Sequence, residues 1–264
     1  MGKLDRVKIA EQTVAISEKG YYELNDKIIR IQTQQDYLLF EPEDMAQLDL
    51  FRGGRKFTEL AETEVYNESV VDTIFNLVGE VNGGKVGVLN FASAHYPGGG
   101  FLKGSMAQEE ALAYCSNLYT AIKDSKMYII NKDRGEKYYT DTATVCKATF
   151  FRDSDFEFVE DPFTVNIVTC PAVNRNKCPK DPQADKIMKK RMRRILKLMI
   201  KQGFTTIILG AFGCGVFKND PELIAEYWDE LLYGEGLGYY FERVIFSVLD
   251  KEAGTNIKVF GRYF

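Results

Sequence analysis

The amino-acid sequence predicts an α/β fold in which helices cover both faces of a β-sheet, as a three-layer α/β/α sandwich. Segments with helical spacing of apolar residues alternate along the chain with short strands rich in β-branched residues. Two strands lead into glycine loops that are followed by helices, and no internal repeat, low-complexity run or Pro/Ser-rich linker marks a second domain. We therefore expect one domain over residues 1–264, with a helical N-terminal extension over about residues 1–80.

Two elements are predicted at the start of the chain. Lys3 to Lys19 is predicted to be a helix, and Gly20 is expected to end it because glycine is common just after the last helical turn. Ile28 to Gln32 is predicted to be extended. The segment that follows, through about Phe57, has no clear pattern.

The first strong helix–strand unit follows residue 68. Ser69 and Asp72 have the spacing of a capping box, in which each side chain bonds to the other residue's backbone N–H. Apolar residues then repeat every fourth position: Val70, Ile74 and Val78. A helix is predicted here, before a strand over Val86 to Phe91.

The middle of the chain is predicted to contain one helix and two strands. Residues 108–122 have apolar side chains at helical spacing, at Leu112, Cys115, Leu118 and Ile122. Thr144 to Phe151 and Phe163 to Cys170 are rich in β-branched and aromatic residues, so they are predicted to be strands.

A long helix is predicted after Asp181, which is a suitable N-cap with Pro182 in the first turn and Gly203 beyond the end. Its apolar face is formed by Ile187, Met188, Met192, Ile195, Leu196 and Met199. Its opposite face is basic, with Lys189, Lys190, Arg191, Arg193, Arg194 and Lys197. Contact with a polymeric anion is one interpretation of this face, and a solvated helix surface is the favoured one.

The C-terminal part is predicted to be a strand, a helix and a second strand. The strands are Thr205 to Leu209 and Val244 to Leu249. Asp220 and Pro221 mark the start of the helix between them. Its buried face is predicted to carry Ile224, Trp228 and Leu231.

Composition favours a globular protein with one core, and no cofactor is expected. The formal net charge of −4 argues against a protein that holds polyanions by bulk electrostatics, so duplex nucleic-acid binding is not expected. No stretch is long and apolar enough to span a membrane, and the start of the chain lacks an apolar signal core. Five cysteines without CxxC spacing indicate reduced thiols and, with a single histidine, no zinc site. We expect a cytoplasmic protein, with no metal and no membrane partner.

The segment from Pro97 to Leu112 is the first candidate for chemistry. Three consecutive glycines, Gly98, Gly99 and Gly100, have no Cβ, so a ligand can approach the backbone N–H groups closely. Gln108, Glu109 and Glu110 follow near the start of the predicted helix. Acidic residues are also common in a first helical turn for electrostatic reasons alone, and it is the nearby glycines that favour a functional role.

Glu109 and Glu110 are predicted to have different roles, because neighbouring residues on a helix point about 100° apart. Repulsion between the two carboxylates would raise one pKa, whereas the helix N-terminus would lower it. The sequence leaves open which effect is larger.

A second glycine loop follows the predicted strand that ends at Leu209. It contains Gly213, Cys214 and Gly215, and a helix begins shortly afterwards. Backbone donors and a helix N-terminus at the carboxyl end of a strand are typical of phosphate sites in open α/β sheets. The loop lacks the lysine of a P-loop and the GxGxxG spacing of a dinucleotide site, which disfavours an ordinary ATPase or dehydrogenase.

These motifs resemble those of the microbial-type poly(ADP-ribose) glycohydrolases, a family of the macrodomain group of ADP-ribose-binding folds. The segments NFASAHYPGGG and GSMAQEEAL are similar to the family's glycine-rich and catalytic motif, and GAFGCGVFKNDP is similar to its diphosphate loop. The segments FFRDSDFEF, Val165 to Asn174 and RVKIAEQTVAISEKGYY also match the family pattern. The resemblance therefore covers nearly the whole chain and implies a macrodomain-like fold with a mixed central sheet.

The resemblance also implies a role for each site residue. Glu110 would be the catalytic acid, and Glu109 would position the substrate. Gln108 would orient the catalytic loop, and Asn90 would place a polar group at the end of a strand. The remaining implied contacts are with the distal ribose and its phosphate, at Gly98, Gly99 and Gly100, and with the diphosphate, at Gly213, Cys214, Gly215, Val216 and Phe217.

The implied activity is hydrolysis of the ribose–ribose O-glycosidic bonds of poly(ADP-ribose), which releases ADP-ribose. Such a bond is broken through an oxocarbenium-like transition state that needs one proton donor and an activated water. Two alternatives remain open: removal of single ADP-ribose units from protein, nucleic acid or a small molecule, and non-catalytic ADP-ribose binding. The protein is expected to act as a monomer on poly(ADP-ribose) or another ADP-ribosylated substrate.

Two further interpretations concern single residues. Cys214 would be a nucleophile only if a base such as His95 reached it, and a structural thiol is favoured. Tyr96, Phe101 and Phe212 flank the glycine loops and are candidates for stacking on adenine, although aromatic residues near strands are more often part of the core.

Overall fold

The computed structural model describes residues 2–33, 36–77, 79, 85–135, 137–250 and 254–264. Within these residues the helices are α1 (Lys3–Lys19), α2 (Pro42–Gln47), α3 (Val70–Asn76), α4 (Gln108–Cys115), α5 (Leu118–Ile122), α6 (Lys126–Arg134), α7 (Pro182–Lys201), α8 (Pro221–Asp229) and α9 (Thr255–Tyr263). The strands are β1 (Tyr21–Leu24), β2 (Lys27–Arg30), β3 (Tyr37–Phe40), β4 (Glu62–Tyr66), β5 (Val86–Phe91), β6 (Ala143–Arg152), β7 (Phe158–Cys170), β8 (Thr206–Leu209) and β9 (Arg243–Ser247).

Seven strands form one mixed sheet in the order β3-β6-β7-β5-β8-β9-β4. Strands β7, β5, β8, β9 and β4 are parallel to their neighbours within this group, and β6 pairs in antiparallel fashion with both β3 and β7. Successive residues of β5 point to opposite faces of the sheet, so Leu89 and Val88 belong to two different buried clusters. One cluster contains residues of α7, α8 and α9, and the other contains residues of α1, α3, α4, α5 and α6. The predicted three-layer α/β/α sandwich is confirmed.

Local signals placed several helix ends correctly. Gly20 ends α1 with a φ of +83°, a left-handed conformation, and its N–H donates to the Ile16 carbonyl oxygen. The Ser69, Asp181 and Asp220 side chains each accept a backbone N–H at the start of α3, α7 and α8. Val78, predicted to continue the apolar face of α3, lies outside the described residues.

The single helix predicted over residues 108–122 is wrong, because the chain leaves the helical conformation at Ser116. Ser116 forms a short antiparallel bridge with Phe150 of β6. The Asn117 side chain accepts the Thr149 N–H at 2.7 Å and donates to the Gln32 carbonyl oxygen at 2.8 Å. These bonds replace the helical ones, so α4 and α5 are separate helices.

The first 80 residues contain strands as well as helices, and they form both edges of the central sheet. Strand β3 pairs with β6 at one edge and β4 pairs with β9 at the other. Strands β1 and β2 form a separate hairpin, whose turn at Asn25 and Asp26 has positive φ at both residues. Helix α1 lies near α4, where Thr13 Oγ1 donates to the Tyr114 carbonyl oxygen. This part of the chain is thus integrated into the sheet.

The expected solvated basic face of α7 is wrong for three of its six residues. Arg191, Arg194 and Lys197 are buried. Arg191 Nε donates to Asp141 Oδ1 at 2.8 Å, and Arg194 Nη1 donates to Asp141 Oδ2 at 2.6 Å. The charges are buried because an acidic residue from the segment before β6 pairs with both arginines, which the helix sequence alone does not reveal.

Candidate active site

The two glycine loops lie side by side at the carboxyl ends of two inner strands of the sheet. Strands β5 and β8 are parallel neighbours, so their carboxyl ends, and the loops that follow them, are adjacent. Between the loops lies a cavity of about 570 Å³, which is also lined by the first turn of α4. Its lining includes Ser93, Tyr96, Gly99, Gly100, Gln108, Glu109, Glu110, Gly213, Gly215, Val216 and Phe217. The structure therefore brings together most of the residues that the sequence singled out.

The first glycine loop packs directly against the two glutamates. Gly98 and Gly99 have φ values of +65° and +62°, in the left-handed region that favours glycine. A Cβ on Gly99 would lie 2.5 Å from Glu110 Oε1 and 3.1 Å from Glu109 Oε2. The N–H of Gly100 donates to Glu110 Oε1 at 2.9 Å. Glycine at position 99 is thus required both by the backbone conformation and by the closeness of the carboxylates.

Glu109 is buried and holds the chain that leaves β5. Its Oε2 accepts the Ser93 N–H at 2.7 Å. Burial raises the pKa of Glu109 to about 8; the Ser93 N–H opposes this shift, and the charge of Glu110 adds to it. At neutral pH the Glu109 carboxyl is therefore mostly protonated.

Glu110 has a different set of partners, as the helix geometry predicts. Both glutamates are in the first turn of α4, at 3% and 8% relative exposure. Glu109 contacts the segment after β5, whereas Glu110 contacts Gly100. No hydrogen bond of the described residues involves Glu110 Oε2. That oxygen is available to a molecule in the cavity.

Gln108 joins the first turn of α4 to the end of β5. Its Nε2 donates to the Leu89 carbonyl oxygen at 2.8 Å, and its Oε1 accepts the Phe91 N–H at 2.9 Å. The Gln108 side-chain amide thus bonds to the β5 backbone in the way that the backbone of a neighbouring strand would. The amide therefore fixes the distance between β5 and the glutamates.

Asn90 is fully buried beneath Glu109 and does not line the cavity. Its Nδ2 lies 3.5 Å from Glu109 Oε1 and donates to Thr169 Oγ1 at 3.2 Å. Asn90 Oδ1 has no hydrogen-bond partner among the described residues. The structure thus places Asn90 behind the acid pair, where it supports Glu109.

The second glycine loop has a tight turn at Gly213, where φ is +76°. A Cβ there would lie 2.5 Å from Asn219 Nδ2 and 2.6 Å from the Ala172 Cβ atom. Asn219 Nδ2 donates to the carbonyl oxygens of Val173, at 2.8 Å, and Gly213, at 3.1 Å. The loop therefore has a conformation that is held by buried bonds and does not depend on a ligand.

A neighbouring segment after β7 supports the tip of this loop. Asn176 Nδ2 donates to the Val216 carbonyl oxygen at 2.6 Å, and the Arg175 N–H donates to that of Phe217 at 2.8 Å. Sequence reasoning missed the supporting roles of Asn176 and Asn219. For Asn219 a local signal existed, since an asparagine directly before the N-cap Asp220 is typical of a loop held by its side chain.

Cys214 does not have the surroundings of a nucleophile. Burial, and to a smaller extent the charge of Asp220, raises the pKa of its thiol to about 12, so the thiolate is scarce at neutral pH. Its Sγ turns toward the Phe212 carbonyl oxygen, 4.0 Å away. The His95 ring lies against Tyr139 and Tyr96, and no contact of the described residues joins it to Cys214. All five cysteines are free thiols.

The aromatic residues beside the loops divide into core and surface. Phe101 and Phe212 are fully buried, whereas Tyr96 is 65% exposed at the cavity.

In the part of the chain that the structure describes, no helix is long and apolar enough to cross a membrane. The same residues contain no group of three His, Cys, Asp or Glu side chains that could hold a metal ion.

Comparisons with known proteins match the chain to one family. The model of the family described as microbial-type PARG, catalytic domain, matches residues 10–153, which include the first glycine loop and the glutamate pair. No curated protein matches the chain.

Solved structures are similar over a larger part of the chain. Poly(ADP-ribose) glycohydrolase (PARG) from Thermomonospora curvata is 32% identical, covers 99% of this chain and 100% of its own, and superimposes with a TM-score of 0.91. A second structure of that protein, bound to the inhibitor ADP-HPD, has a TM-score of 0.89 at 31% identity, with the same coverage. PARG from Deinococcus radiodurans in complex with ADP-ribose is 35% identical, covers 86% of this chain and 93% of its own, and has a TM-score of 0.78. The chain belongs to the microbial-type poly(ADP-ribose) glycohydrolase family.

Proposed function

We propose that the protein hydrolyses the ribose–ribose O-glycosidic bonds of poly(ADP-ribose) and releases ADP-ribose. The observation that carries this proposal is the cavity in which a buried glutamate pair, packed against one glycine loop, faces a second glycine loop. Family membership supports it, and the Deinococcus radiodurans relative has been solved with ADP-ribose. The three-layer fold and the two loops also support a place in the macrodomain group.

The second loop would bind the diphosphate of the substrate. No hydrogen bond of the described residues uses the backbone N–H groups of Gly215, Val216 or Phe217, so they are available as donors. Backbone N–H groups near a helix N-terminus are suited to phosphate oxygens. The Phe217 ring also lines the cavity and would lie against the distal ribose. Gly213 and Cys214 would shape this loop, with Gly213 supplying its left-handed turn.

The glycosidic bond would be broken by Glu110. Its carboxylic acid donates a proton to the oxygen that links the two riboses, and the bond from that oxygen to the anomeric carbon breaks. The other ribose leaves with this oxygen as a hydroxyl, and a positively charged oxocarbenium forms on the ribose that contains the anomeric carbon. A water then adds to the anomeric carbon and returns a proton to the Glu110 carboxylate. Oε2 is the proposed proton-transfer atom, since Oε1 accepts the Gly100 N–H.

Glu109, Gln108 and Asn90 would position the reacting groups. The raised pKa of Glu109 keeps its carboxyl neutral, so it can donate a hydrogen bond to a ribose hydroxyl. Gln108 and Asn90 would act through the protein, because their hydrogen-bond partners are Leu89, Phe91, Glu109 and Thr169. Gly98, Gly99 and Gly100 would curve around the distal ribose and its phosphate.

The protein is further proposed to act as a monomer in the cytoplasm. Five free thiols are typical of proteins from a reducing compartment.

The decisive experiment is Glu110→Gln, because the amide keeps an acceptor for the Gly100 N–H and loses the proton. We expect release of ADP-ribose from poly(ADP-ribose) to fall by about 10²- to 10⁴-fold, with the dissociation constant for ADP-ribose changed less than about threefold. Product chromatography and calorimetric titration measure the two effects. Glu11→Gln, at an exposed position of α1, is the matched control.

Three other outcomes would replace the proposal or part of it. Release of ADP-ribose only from mono-ADP-ribosylated protein would make the wild-type enzyme a mono-ADP-ribosyl hydrolase. Tight ADP-ribose binding without cleavage of either substrate would make it a binding module. Wild-type activity in the Glu110→Gln variant would move the proton-donor role to another group.

A further inference from the structure

A group of aromatic and basic side chains lies at the mouth of the cavity, which we call the cationic rim: His95, Tyr96, Lys132, Tyr139 and Lys177. The Tyr139 ring lies 5.2 Å from the His95 ring, and the His95 ring lies 6.3 Å from that of Tyr96. Lys177 Nζ lies 4.8 Å from the centre of the Tyr139 ring, and Lys132 Nζ lies 5.9 Å from that of Tyr96. Each lysine thus lies near one aromatic ring.

The cationic rim is continuous with both glycine loops. Tyr96 lines the cavity beside the first loop. The Tyr139 ring lies 5.8 Å from that of Phe217, which lines the cavity from the second loop. His95 and Tyr139 therefore connect the two sides of the cavity mouth.

Tyr139 is held in place by partly buried hydrogen bonds. Its φ of +58° is unusual for a bulky residue. Arg191 Nη2 donates to the carbonyl oxygens of Tyr138, at 3.1 Å, and Tyr139, at 3.0 Å. The Tyr139 hydroxyl accepts Asn174 Nδ2 at 3.3 Å. A ring whose backbone is fixed in this way loses little conformational entropy when a ligand stacks on it.

The charge of the cationic rim is positive, although the protein has a formal net charge of −4. Lys132 and Lys177 are exposed, and neither forms an ion pair with any residue that the structure describes. Burial lowers the pKa of His95, and the charges of Lys177 and Lys132 lower it further. At neutral pH the positive charge is therefore that of the two lysines.

The cavity is of the size that holds one nucleotide-sized ligand, since sites for such ligands have volumes of about 300–1,000 Å³. A polymer whose end unit fills the cavity must continue over the surface outside it. Each unit of poly(ADP-ribose) carries two phosphates and an adenine, which lysines and aromatic rings recognise through charge and stacking.

We propose that the cationic rim binds the ADP-ribose unit next to the one held in the cavity. Lys132 and Lys177 would contact its phosphates, and the rings of Tyr96 and Tyr139 would stack on its base or ribose. This inference rests on the proposed glycohydrolase function and adds a reason why a polymer would be preferred to a single ADP-ribose unit.

The test compares a double variant, Lys132→Gln with Lys177→Gln, with a control of equal charge change, Lys27→Gln with Lys147→Gln, at two exposed lysines on β2 and β6. Binding is measured in the Glu110→Gln background, for ADP-ribose and for poly(ADP-ribose) fractions of two, four and more units. Relative to the Glu110→Gln parent, we expect the variant with both Lys132→Gln and Lys177→Gln to bind oligomers about 5- to 20-fold more weakly. Its affinity for ADP-ribose should stay within about twofold of that of the parent. A plot of log K for oligomer binding against the logarithm of the salt concentration has a negative slope. This slope should become less steep by about 0.7 for each phosphate that the variant no longer neutralises.

A second pair of variants tests the ring. Tyr139→Phe keeps the aromatic face and should keep oligomer affinity within about twofold, whereas Tyr139→Leu removes the face and should weaken it about fivefold. Thermal unfolding of both variants checks that the fold is intact.

Two results would overturn the inference. Equal losses of affinity for ADP-ribose and for oligomers would mean that the cationic rim binds the unit in the cavity itself. Oligomer affinity and salt slope equal to those of the control would mean that the lysines are ordinary surface charges. Absence of cleavage by the wild-type enzyme would instead contradict the glycohydrolase proposal, whereas the binding measurements remain interpretable.

Discussion

Two adjacent glutamates have different surroundings because a helix turns by about 100° per residue. Glu109 is directed at the backbone after β5 and is buried, which raises its pKa to about 8. Glu110 is directed at Gly100 and at the cavity. Burial, which the sequence could not weigh, exceeds the effect of the hydrogen bonds that the Glu109 carboxylate accepts. Glu109 is therefore mostly protonated at neutral pH, a state suited to a group that positions the substrate by donating a hydrogen bond.

Glu109→Gln tests this assignment through the pH dependence of stability. A carboxyl whose pKa rises from 4.5 to about 8 on folding binds more protons in the folded than in the unfolded state between these values. Its contribution to stability is therefore full below pH 4.5 and falls as the pH rises toward 8. Glutamine does not titrate, so we expect the melting temperature of the variant, relative to wild type, to rise between about pH 5 and pH 8.5.

The expected change in unfolding free energy is on the order of a few kcal/mol over this range. Differential scanning fluorimetry of both proteins at several pH values measures it, with Glu11→Gln as the control for an exposed carboxylate. Parallel curves for wild type and Glu109→Gln would mean that Glu109 keeps an ordinary pKa in the folded protein.

At the scale of elements, helix α7 is attached to the sheet by buried charges as well as by its apolar face. Asp141 accepts hydrogen bonds from Arg191 and Arg194, and Arg194 Nη2 also donates to Asp49 Oδ2 at 2.5 Å. Arg191 Nη1 donates to the Pro171 carbonyl oxygen at 2.9 Å. These bonds join α7 to the segments before β6 and after β7. The same arginine, Arg191, therefore fixes the backbone that carries Tyr139.

Asp141→Asn is expected to lower the free energy of unfolding by about 3–5 kcal/mol, since it leaves buried guanidinium groups without their counter-charge. Burial alone would raise the pKa of Asp141, but Arg191 and Arg194 keep it below its ordinary 3.8. The stabilisation is thus present above pH 3.8 and is lost as the pH falls below it.

Urea unfolding at about pH 7 and pH 3.5 measures the effect of Asp141→Asn. The difference between wild type and variant should be smaller at the lower pH. Asp36→Asn, at an exposed aspartate, is the matched control and should change stability by less than about 0.5 kcal/mol. A change no larger than that of the control would show that the ion pairs contribute little net stability.

At the scale of the whole molecule, we propose that residues 1–264 fold as a single domain. The central sheet has its first and last strands, β3 and β4, in the N-terminal 80 residues. Unfolding of this segment would therefore expose the hydrogen-bonding edges of both β6 and β9, which disfavours independent unfolding.

A single domain predicts one cooperative transition in urea. Trp228, the only tryptophan, is fully buried beside α7 and α9, so its fluorescence reports on one face of the sheet. Far-UV circular dichroism reports on all helices, including α1 on the opposite face. The two transitions should coincide, and a separate phase seen only by circular dichroism would indicate that the N-terminal segment unfolds by itself.

Many boundaries of the fold were predictable because they depend on neighbouring residues. The C-terminal end of α1, both ends of α7 and the start of α8 follow from caps and glycine, and the bounds of β5 follow from a short segment rich in apolar residues. Short elements with weak patterns were not predicted: β1, β3, β4, α2, α6 and α9. Their conformation depends on pairing and packing with distant parts of the chain, which local propensity does not encode.

The sequence by itself determined the fold class, the two glycine loops and the acid pair, because glycine conformation, helix capping and apolar periodicity act over a few residues. Only the tertiary structure decided that Glu109 is buried while Asn90 lies behind it, that Arg191 and Arg194 point inward, and that Tyr139 meets His95 and Phe217. These contacts join residues far apart in the chain or depend on burial. The energies of these contacts arise from desolvation and from the pairing of buried groups. Both exist only in the folded protein, where the sheet brings the carboxyl ends of its strands together.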